Sequence, residues 1–342
     1  LKLTPYSTGG TGYIGGSVLH AIATTHPDYK ITVLLRTIPP SFATRYPNIK
    51  TVLGDFKSTT LLTTQASQAD LVIHTGNSDH EPSLQALVVG LLLKSTPGYL
   101  IHLSGTGLVS DWHNTTYLGL PNPKIWSDVT SLPEIKSLPM GELHRNTETL
   151  LHGWIEEHAG KINIAIICPP DVYGLGKGLG RTTSALVPVY VHEARALGAA
   201  FYVAEGTNMR SWVHVDDLTR LYLLLVEAAL ASEAEETHFG KNGYYFAGTQ
   251  EHSQIDLARE TGRILYERGV INDAKPVQVG LEQLDAMVNV SEFPELRRYL
   301  FASNSRTRAE RAGRLFEYKA QAPGLMEVLE SDILDVIKES KF

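Results

Sequence analysis

The stretch Thr8-Gly9-Gly10-Thr11-Gly12-Tyr13-Ile14-Gly15 spaces Gly9, Gly12 and Gly15 three apart, and Gly10, Gly12 and Gly15 also satisfy G-x-G-x-x-G. Such a loop turns tightly, brings backbone N–H groups against a phosphate and presents that phosphate to the positive end of the next helix. Gly9, Thr11, Gly12, Tyr13, Ile14 and Gly15 are therefore the expected phosphate cradle. Arg36 follows directly on the apolar run Lys30 to Leu35. A carboxylate at that strand end would bind ribose hydroxyls. Leu35 and Arg36 standing there instead favour a 2′-phosphate, and hence NADP(H) over NAD(H). Asp55 either accepts from an adenine amino group, with Phe56 covering the ring, or caps a helix near Thr59 to Ser67. Thr75-Gly76 places a small residue where a cofactor can pass close to the backbone.

These residues need a sheet to carry them. Strands are expected over residues 1–8, 30–35, 49–53, 71–74, 99–103 and 162–167, although Pro5 suits a central strand poorly. Helices are expected over 16–25, 59–67, 80–95, 140–158, 184–197, 218–231 and 253–267. Strands alternating with helices through short links predict an α/β fold, a Rossmann doubly wound parallel sheet with right-handed crossovers. Ligands bind such a sheet at the carboxyl ends of its strands, where the residues above fall. Residues 110–139 read as a long Pro- and Asn-containing loop, a kind of segment that is usually functional. A short strand is expected near Tyr244 to Phe246, and the tail, where Ser303-Asn304-Ser305-Arg306 opens a helix, reads as a smaller mixed α/β lobe. The expected division is 1–170 with 208–250 for dinucleotide binding, and 171–207 with 251–342 for substrate.

The chain has 342 residues, 43% hydrophobic and 20% charged, with a formal net charge of −7. That composition suits a globular enzyme, and the negative balance without a Lys/Arg run argues against nucleic acid or an anionic membrane as partner. The apolar run Leu84 to Leu93 is too short to span a bilayer and reads as a buried helix. One cysteine, Cys168, excludes an internal disulfide. It fits a reducing, cytoplasmic compartment and reads as buried rather than nucleophilic. No secretory signal is expected from Leu1-Lys2-Leu3-Thr4-Pro5, and the start on Leu suggests that a few leading residues are missing. The 13 histidines show no metal-ligand spacing, so no metal is expected.

Four blocks in order, Thr8 to Gly15, Ser104 to Thr106, Pro169 to Gly174 and Trp212 to Asp217, make the chain resemble an extended or atypical short-chain dehydrogenase/reductase. The type is the epimerase/dehydratase and NmrA-like one found widely in fungi, and the likeness covers nearly the whole length. The resemblance implies that Thr106 is the active-site Ser/Thr and that Pro170 and Val172 line the nicotinamide. It also implies that His214-Val215-Asp216-Asp217 is structural, and by analogy it suggests a homodimer. The family's catalytic pair is Tyr-x-x-x-Lys at the start of the helix after the fifth strand. Aligned on Pro139, Gly141 and Glu148, this chain has Met140 for the Tyr and His144 for the Lys.

A thioether cannot exchange the proton that a Tyr delivers. His144 can hold the nicotinamide ribose, or substitute as acid, since an imidazole side chain exchanges protons near neutrality. Tyr173 is another candidate donor, and Asp111, His113 and Tyr117 lie in the long loop. The expected function is an NADP(H)-dependent oxidoreductase acting on a small or medium carbonyl or alcohol, or an imine or enone, with a non-standard proton donor. The rival readings are an NmrA-like sensor of NADP(H) without chemistry, and a redox-neutral isomerase, lyase or cyclase on the same fold.

Overall fold

The computed structural model describes residues 3–229, 235–287, 293 and 295–339. Seven strands form one parallel sheet: β1 (Pro5–Thr8), β2 (Thr32–Leu35), β3 (Lys50–Leu53), β4 (Leu71–His74), β5 (Gly98–Leu103), β6 (Ile162–Cys168) and β7 (Tyr244–Phe246). Their order is β7-β6-β5-β4-β1-β2-β3, with every neighbouring pair parallel. The order reverses beside β1, which puts the glycine loop at the crevice where such sheets bind ligands.

Alternation along each strand feeds two cores. Val33, Leu35, Leu71, Ile73, Ile101, Ala165 and Ile167 pack on one face with Val18, Leu19 and Ile22 of helix α1 (Tyr13–Thr25). Leu34, Val72, Leu100, Ile164 and Ile166 pack on the other with Leu62, Leu84, Leu87 and Leu151. A sheet covered on both faces is what apolar strands of this kind require. A third core, with Tyr190, Phe201, Leu257, Phe301, Leu329 and Ile333, belongs to the lobe.

Pro5 turns out to be compatible with a central strand because it is the first residue of β1, where the ladder to β2 has not begun. Just before it, Thr4 Oγ1 donates to Asp70 at 2.7 Å and stitches β1 to the entry of β4.

Three expectations are corrected. Helix α1 begins at Tyr13 rather than residue 16, since Gly12 already caps it. The helix expected over 140–158 spans only Arg145–Glu157, and residues 140–144 form turns ahead of it. Ser303 to Arg306 opens no helix. It runs extended beside the strand Met209–His214, with Ser211 N–H donating to Ser305 O at 2.9 Å.

The tail also divides differently from 251–342. Thr307–Arg308 pairs in parallel with Trp126–Ser127, and Ala312 and Tyr318 enter the core beneath the large sheet. Asp128 holds this return in place, accepting from Phe246 N–H and Arg311 N–H, each at 3.0 Å.

Candidate active site at the strand ends

Gly9 adopts φ +76°, and Gly12 N–H donates to Gly9 O at 2.8 Å, closing the turn into α1. A Cβ on Gly9 would stand 2.5 Å from Thr75 O, and one on Gly15 would stand 2.4 Å from Gly9 O and Thr75 Oγ1. Both glycines are therefore required by close backbone approach, and the N-terminus of α1 is left without a side-chain cap. Thr75 is part of this scaffold: its hydroxyl donates to Thr8 O at 2.7 Å. Tyr13 is buried and donates to Gly174 O at 2.6 Å, so what it offers a phosphate is its backbone N–H. Ile14 is only partly buried and packs against the α1-side core.

A cavity of about 580 Å³ opens beside the loop, lined among others by Gly9, Gly12, Arg36, Asp55, Phe56 and Gly76. Its size suits a nucleotide, and the uncapped helix end and the glycine cradle fit a dinucleotide's pyrophosphate. Arg36 is exposed at the cavity rim, and Lys57, which the sequence reading passed over, joins it.

Asp55 caps the following turn: its Oδ1 accepts from Lys57 N–H at 2.9 Å and from Ser58 N–H at 3.1 Å. Asp55 thus closes the turn ahead of the helix Thr59–Ser67, whose cap residue is Ser58 and which receives no side-chain cap. Phe56 lies across Gly76, where a Cβ would meet its ring at 2.1 Å, so the small residue makes room for Phe56 in this arrangement.

At the other end of the cleft, β5 runs into Ser104-Gly105-Thr106, and Thr106 N–H donates to Pro169 O at 3.0 Å. The block carrying Pro170 and Val172 is thereby laced to Thr106. Thr106, 4% exposed, receives the Ser305 hydroxyl at its carbonyl (3.0 Å) and at Oγ1 (3.2 Å), and keeps its own O–H as a donor. Ser305 was not foreseen. Its partner lies 199 positions away and reaches it only because the tail runs extended.

His144 occupies φ +66° as the cap residue ahead of the helix Arg145–Glu157. A left-handed non-glycine residue costs of order 1–3 kcal/mol and tends to persist where function fixes it. Its Nδ1 lies 2.8 Å from Asp79 Oδ1, and Nε2 faces Gly105, 2.9 Å from where a Cβ there would sit. A carboxylate only accepts, so Nδ1 carries a proton toward Asp79 and Nε2 is the ring atom turned to Gly105. Asp79 is the second residue missed by sequence reading.

Met140 is 61% exposed and lies outside the helix, so Met140 and His144 do not share the helical face that Tyr-x-x-x-Lys requires. Glu148 lies beneath, fully buried, accepting from Ser104 Oγ at 2.5 Å and from Cys168 Sγ at 3.3 Å. Burial pushes the Glu148 carboxyl and the Cys168 thiol upward, and Cys168 is an inert core group.

Tyr173 is corrected as a proton donor. It is wholly buried, and its hydroxyl donates to Pro323 O at 2.8 Å and accepts from Gln250. Burial raises its pKa as well. Asp111 is likewise occupied: its oxygens accept from Asn304 N–H at 2.6 Å and from Asn122 Nδ2 at 2.8 Å. His113 is exposed, 3.9 Å from Glu142, and Tyr117 is half-buried with its carbonyl facing Asn304. His214 Nδ1 accepts from Asp216 N–H at 3.0 Å and caps the helix Val215–Ala228, which is a structural role.

Residues 141–238 match the profile of the NAD dependent epimerase/dehydratase family. The chain is 28% identical to the oxidase UcsJ of an Acremonium species, over 95% of each. It is 24% identical to the dTDP-glucose 4,6-dehydratase of Mycobacterium tuberculosis, over 61% of this chain and 64% of that enzyme.

Among solved structures, it superposes on the Bacillus anthracis dTDP-glucose 4,6-dehydratase in complex with NAD. There the TM-score is 0.65 at 14% identity, over 99% and 98% of the two chains. It also superposes on the Thermotoga maritima UDP-glucose 4-epimerase with UDP-glucose, with a TM-score of 0.64 at 14% identity over 99% and 100%. At these identities the likeness establishes the fold. Among the described residues no helix is long and apolar enough to cross a membrane.

Proposed function

We propose that the protein is an NADP(H)-dependent oxidoreductase acting on a small or medium carbonyl or alcohol, or on an imine or enone. The observation that carries this reading is the oriented His144–Asp79 pair, set beside Gly105 and Thr106 at the strand end next to the glycine cradle. The 28% identity to a relative named an oxidase supports redox chemistry over a scaffold. A free, buried Cys168 fits a reducing, cytoplasmic setting.

The glycine loop would hold the pyrophosphate, and Arg36 with Lys57 would hold the 2′-phosphate. When bound, a nicotinamide supplies the hydride donor or acceptor. His144 stands in for the family's Lys, with Nε2 placed to hold a ribose hydroxyl and to pass a proton. Thr106 offers its O–H to the substrate oxygen, and Ser305 fixes the orientation of that hydroxyl. Pro170 and Val172 form a wall that keeps water from the reacting face.

The test is binding followed by turnover. Purified protein is expected to bind NADPH more tightly than NADH and to oxidise NADPH with a panel of aryl and alkyl carbonyls. His144→Ala is expected to weaken both binding and turnover. NADPH binding with no oxidation across the panel defeats the reductase assignment.

A specific observation favours a second reading, a non-catalytic NmrA-like sensor: Met140 lies outside the helix, and no phenol stands at that position. Equal affinity for oxidised and reduced cofactor argues against that sensor. Product formed without net NADPH consumption points instead to a redox-neutral isomerase, lyase or cyclase.

A further inference from the structure

The family places a phenol on the helix after β5, and here that position is Met140. A phenol reaches the same place from the lobe. Tyr299, in the helix Leu296–Phe301, sets its hydroxyl against the turn that carries Thr106. A Cβ built on Gly107 would meet Tyr299 Oη at 3.0 Å and Leu143 Cδ1 at 3.0 Å. The phenol therefore lies beside Gly107 and near Leu143, the chain neighbours of Thr106 and His144. Tyr299 also feels the charge of Asp79, the carboxylate that orients His144.

A cation accompanies this phenol. The Arg210 guanidinium lies 5.1 Å from the centre of the Tyr299 ring. Asp171 fixes Arg210 from the far side through two bonds of 2.6 and 3.1 Å, and Arg210 Nη1 donates to Tyr299 O at 2.8 Å. Burial raises the Tyr299 pKa, and Arg210 opposes that rise, as a Lys does for a helix-borne Tyr. Arg210 is thus a positioning residue. Phe293 stacks on Tyr299 at 6.1 Å and Trp112 meets Phe293 edge-on at 5.0 Å, so three aromatic rings stand in a row with the phenol. Such a row suits a flat conjugated substrate.

We propose that Tyr299 is the proton donor of this site and that the substrate is an aryl or conjugated carbonyl compound. The inference rests on the NADP(H) reading above. Tyr299 gives its proton to the carbonyl oxygen while the carbonyl carbon accepts a hydride, with both its electrons, from a reduced nicotinamide. The C=O π pair becomes the oxygen lone pair that takes the proton, the nicotinamide is left oxidised, and the phenolate recovers its proton from water. In the oxidising direction each transfer reverses.

The experiment compares the wild-type protein with Tyr299→Phe, which keeps the ring that Arg210 and Phe293 pack on. Cofactor fluorescence reports NADPH binding, and the difference in phenolate absorbance between the two proteins, titrated with pH, isolates Tyr299. The probe substrate is phenanthrenequinone. Tyr299→Phe is expected to bind NADPH as the wild type does and to reduce the quinone at least about 100-fold more slowly. The Tyr299 titration is expected at lower pH with NADP⁺ than with NADPH, because the oxidised ring is positive beside the phenol. A titration blind to the cofactor's oxidation state overturns the proposal even if the quinone is not turned over, and so does a Tyr299→Phe enzyme that keeps its quinone activity. A wild-type protein that binds neither NADPH nor NADP⁺ overturns the cofactor reading along with it, whereas binding without a response at Tyr299 removes this proposal alone.

Discussion

The two ends of the cleft are built on opposite plans. At the glycine loop the turn closes on itself, Gly12 on Gly9, and rests on the adjacent strand end at Thr75, with Tyr13 tied further off to Gly174. At the reaction end the pieces come from distant parts of the chain. Asp79 reaches His144 across 65 positions, and Ser305 reaches Thr106 across 199. The comparison teaches that a cradle which holds a cofactor can be kept by a short motif, whereas the groups that use it can be exchanged one by one, provided the fold delivers replacements.

Substitution at the cradle should have the largest effect. Gly15→Ala drives a methyl to within 2.4 Å of Gly9 O and Thr75 Oγ1, and backbone cannot yield cheaply. We expect a cost of about 1–3 kcal/mol and an NADPH affinity reduced by at least about tenfold, read by calorimetric titration. Unchanged affinity would mean that the loop is not the pyrophosphate site.

Arg36→Ala with Lys57→Ala should act on one cofactor only. It should weaken NADPH by about tenfold and leave NADH unaltered, as expected for exposed charge-assisted contacts of about 1.5 kcal/mol. Parallel titrations of the two cofactors decide this, and an equal loss for both would place the 2′-phosphate elsewhere.

At the reaction end, Asp79→Asn keeps the size of the side chain but frees the imidazole tautomer. Turnover should fall by about fivefold, the order of one lost hydrogen bond, and its pH profile should move. A profile identical to that of the wild type would reduce Asp79 to a surface contact.

The smallest effect tests the scaffold shared by both ends. Asp332 Oδ2 accepts from Gly174 N–H at 2.8 Å, and burial raises its carboxyl to about 6. Between about pH 4 and 6 the folded state therefore binds more protons at this site than the unfolded state, and its contribution to stability falls as pH rises through that window. Asp332→Asn, which still accepts from Gly174, should match the wild type near pH 4. It should be more stable by about 1 kcal/mol above pH 6, measured by denaturant unfolding.

The limits of legibility follow from the same contrast. The strand runs were readable because burial on both faces demands continuous apolar residues, and the cradle was readable because its glycine spacing encodes its own turn. The helix boundary at Arg145 was not, because the left-handed turn at His144 is imposed by its partners rather than by propensity. Tyr173 looked available by its place in the chain, yet a neighbouring segment consumes its hydroxyl. Ser303 to Arg306 carried helix-opening residues, and the bridge to Arg210 drew it out extended.

The sequence by itself determined a doubly wound parallel sheet and a phosphate cradle with a cation at the second strand's end, since periodicity and glycine spacing act over a few residues. It also declared the loss of the usual phenol at Met140. Only the tertiary structure decided that Asp79 orients His144, that Ser305 binds Thr106, and that Tyr299 stands beside Gly107 with Arg210 against its ring. Those pairings join residues far apart in the chain, and packing of the lobe and the returning tail against the sheet, rather than any local preference, sets their distances.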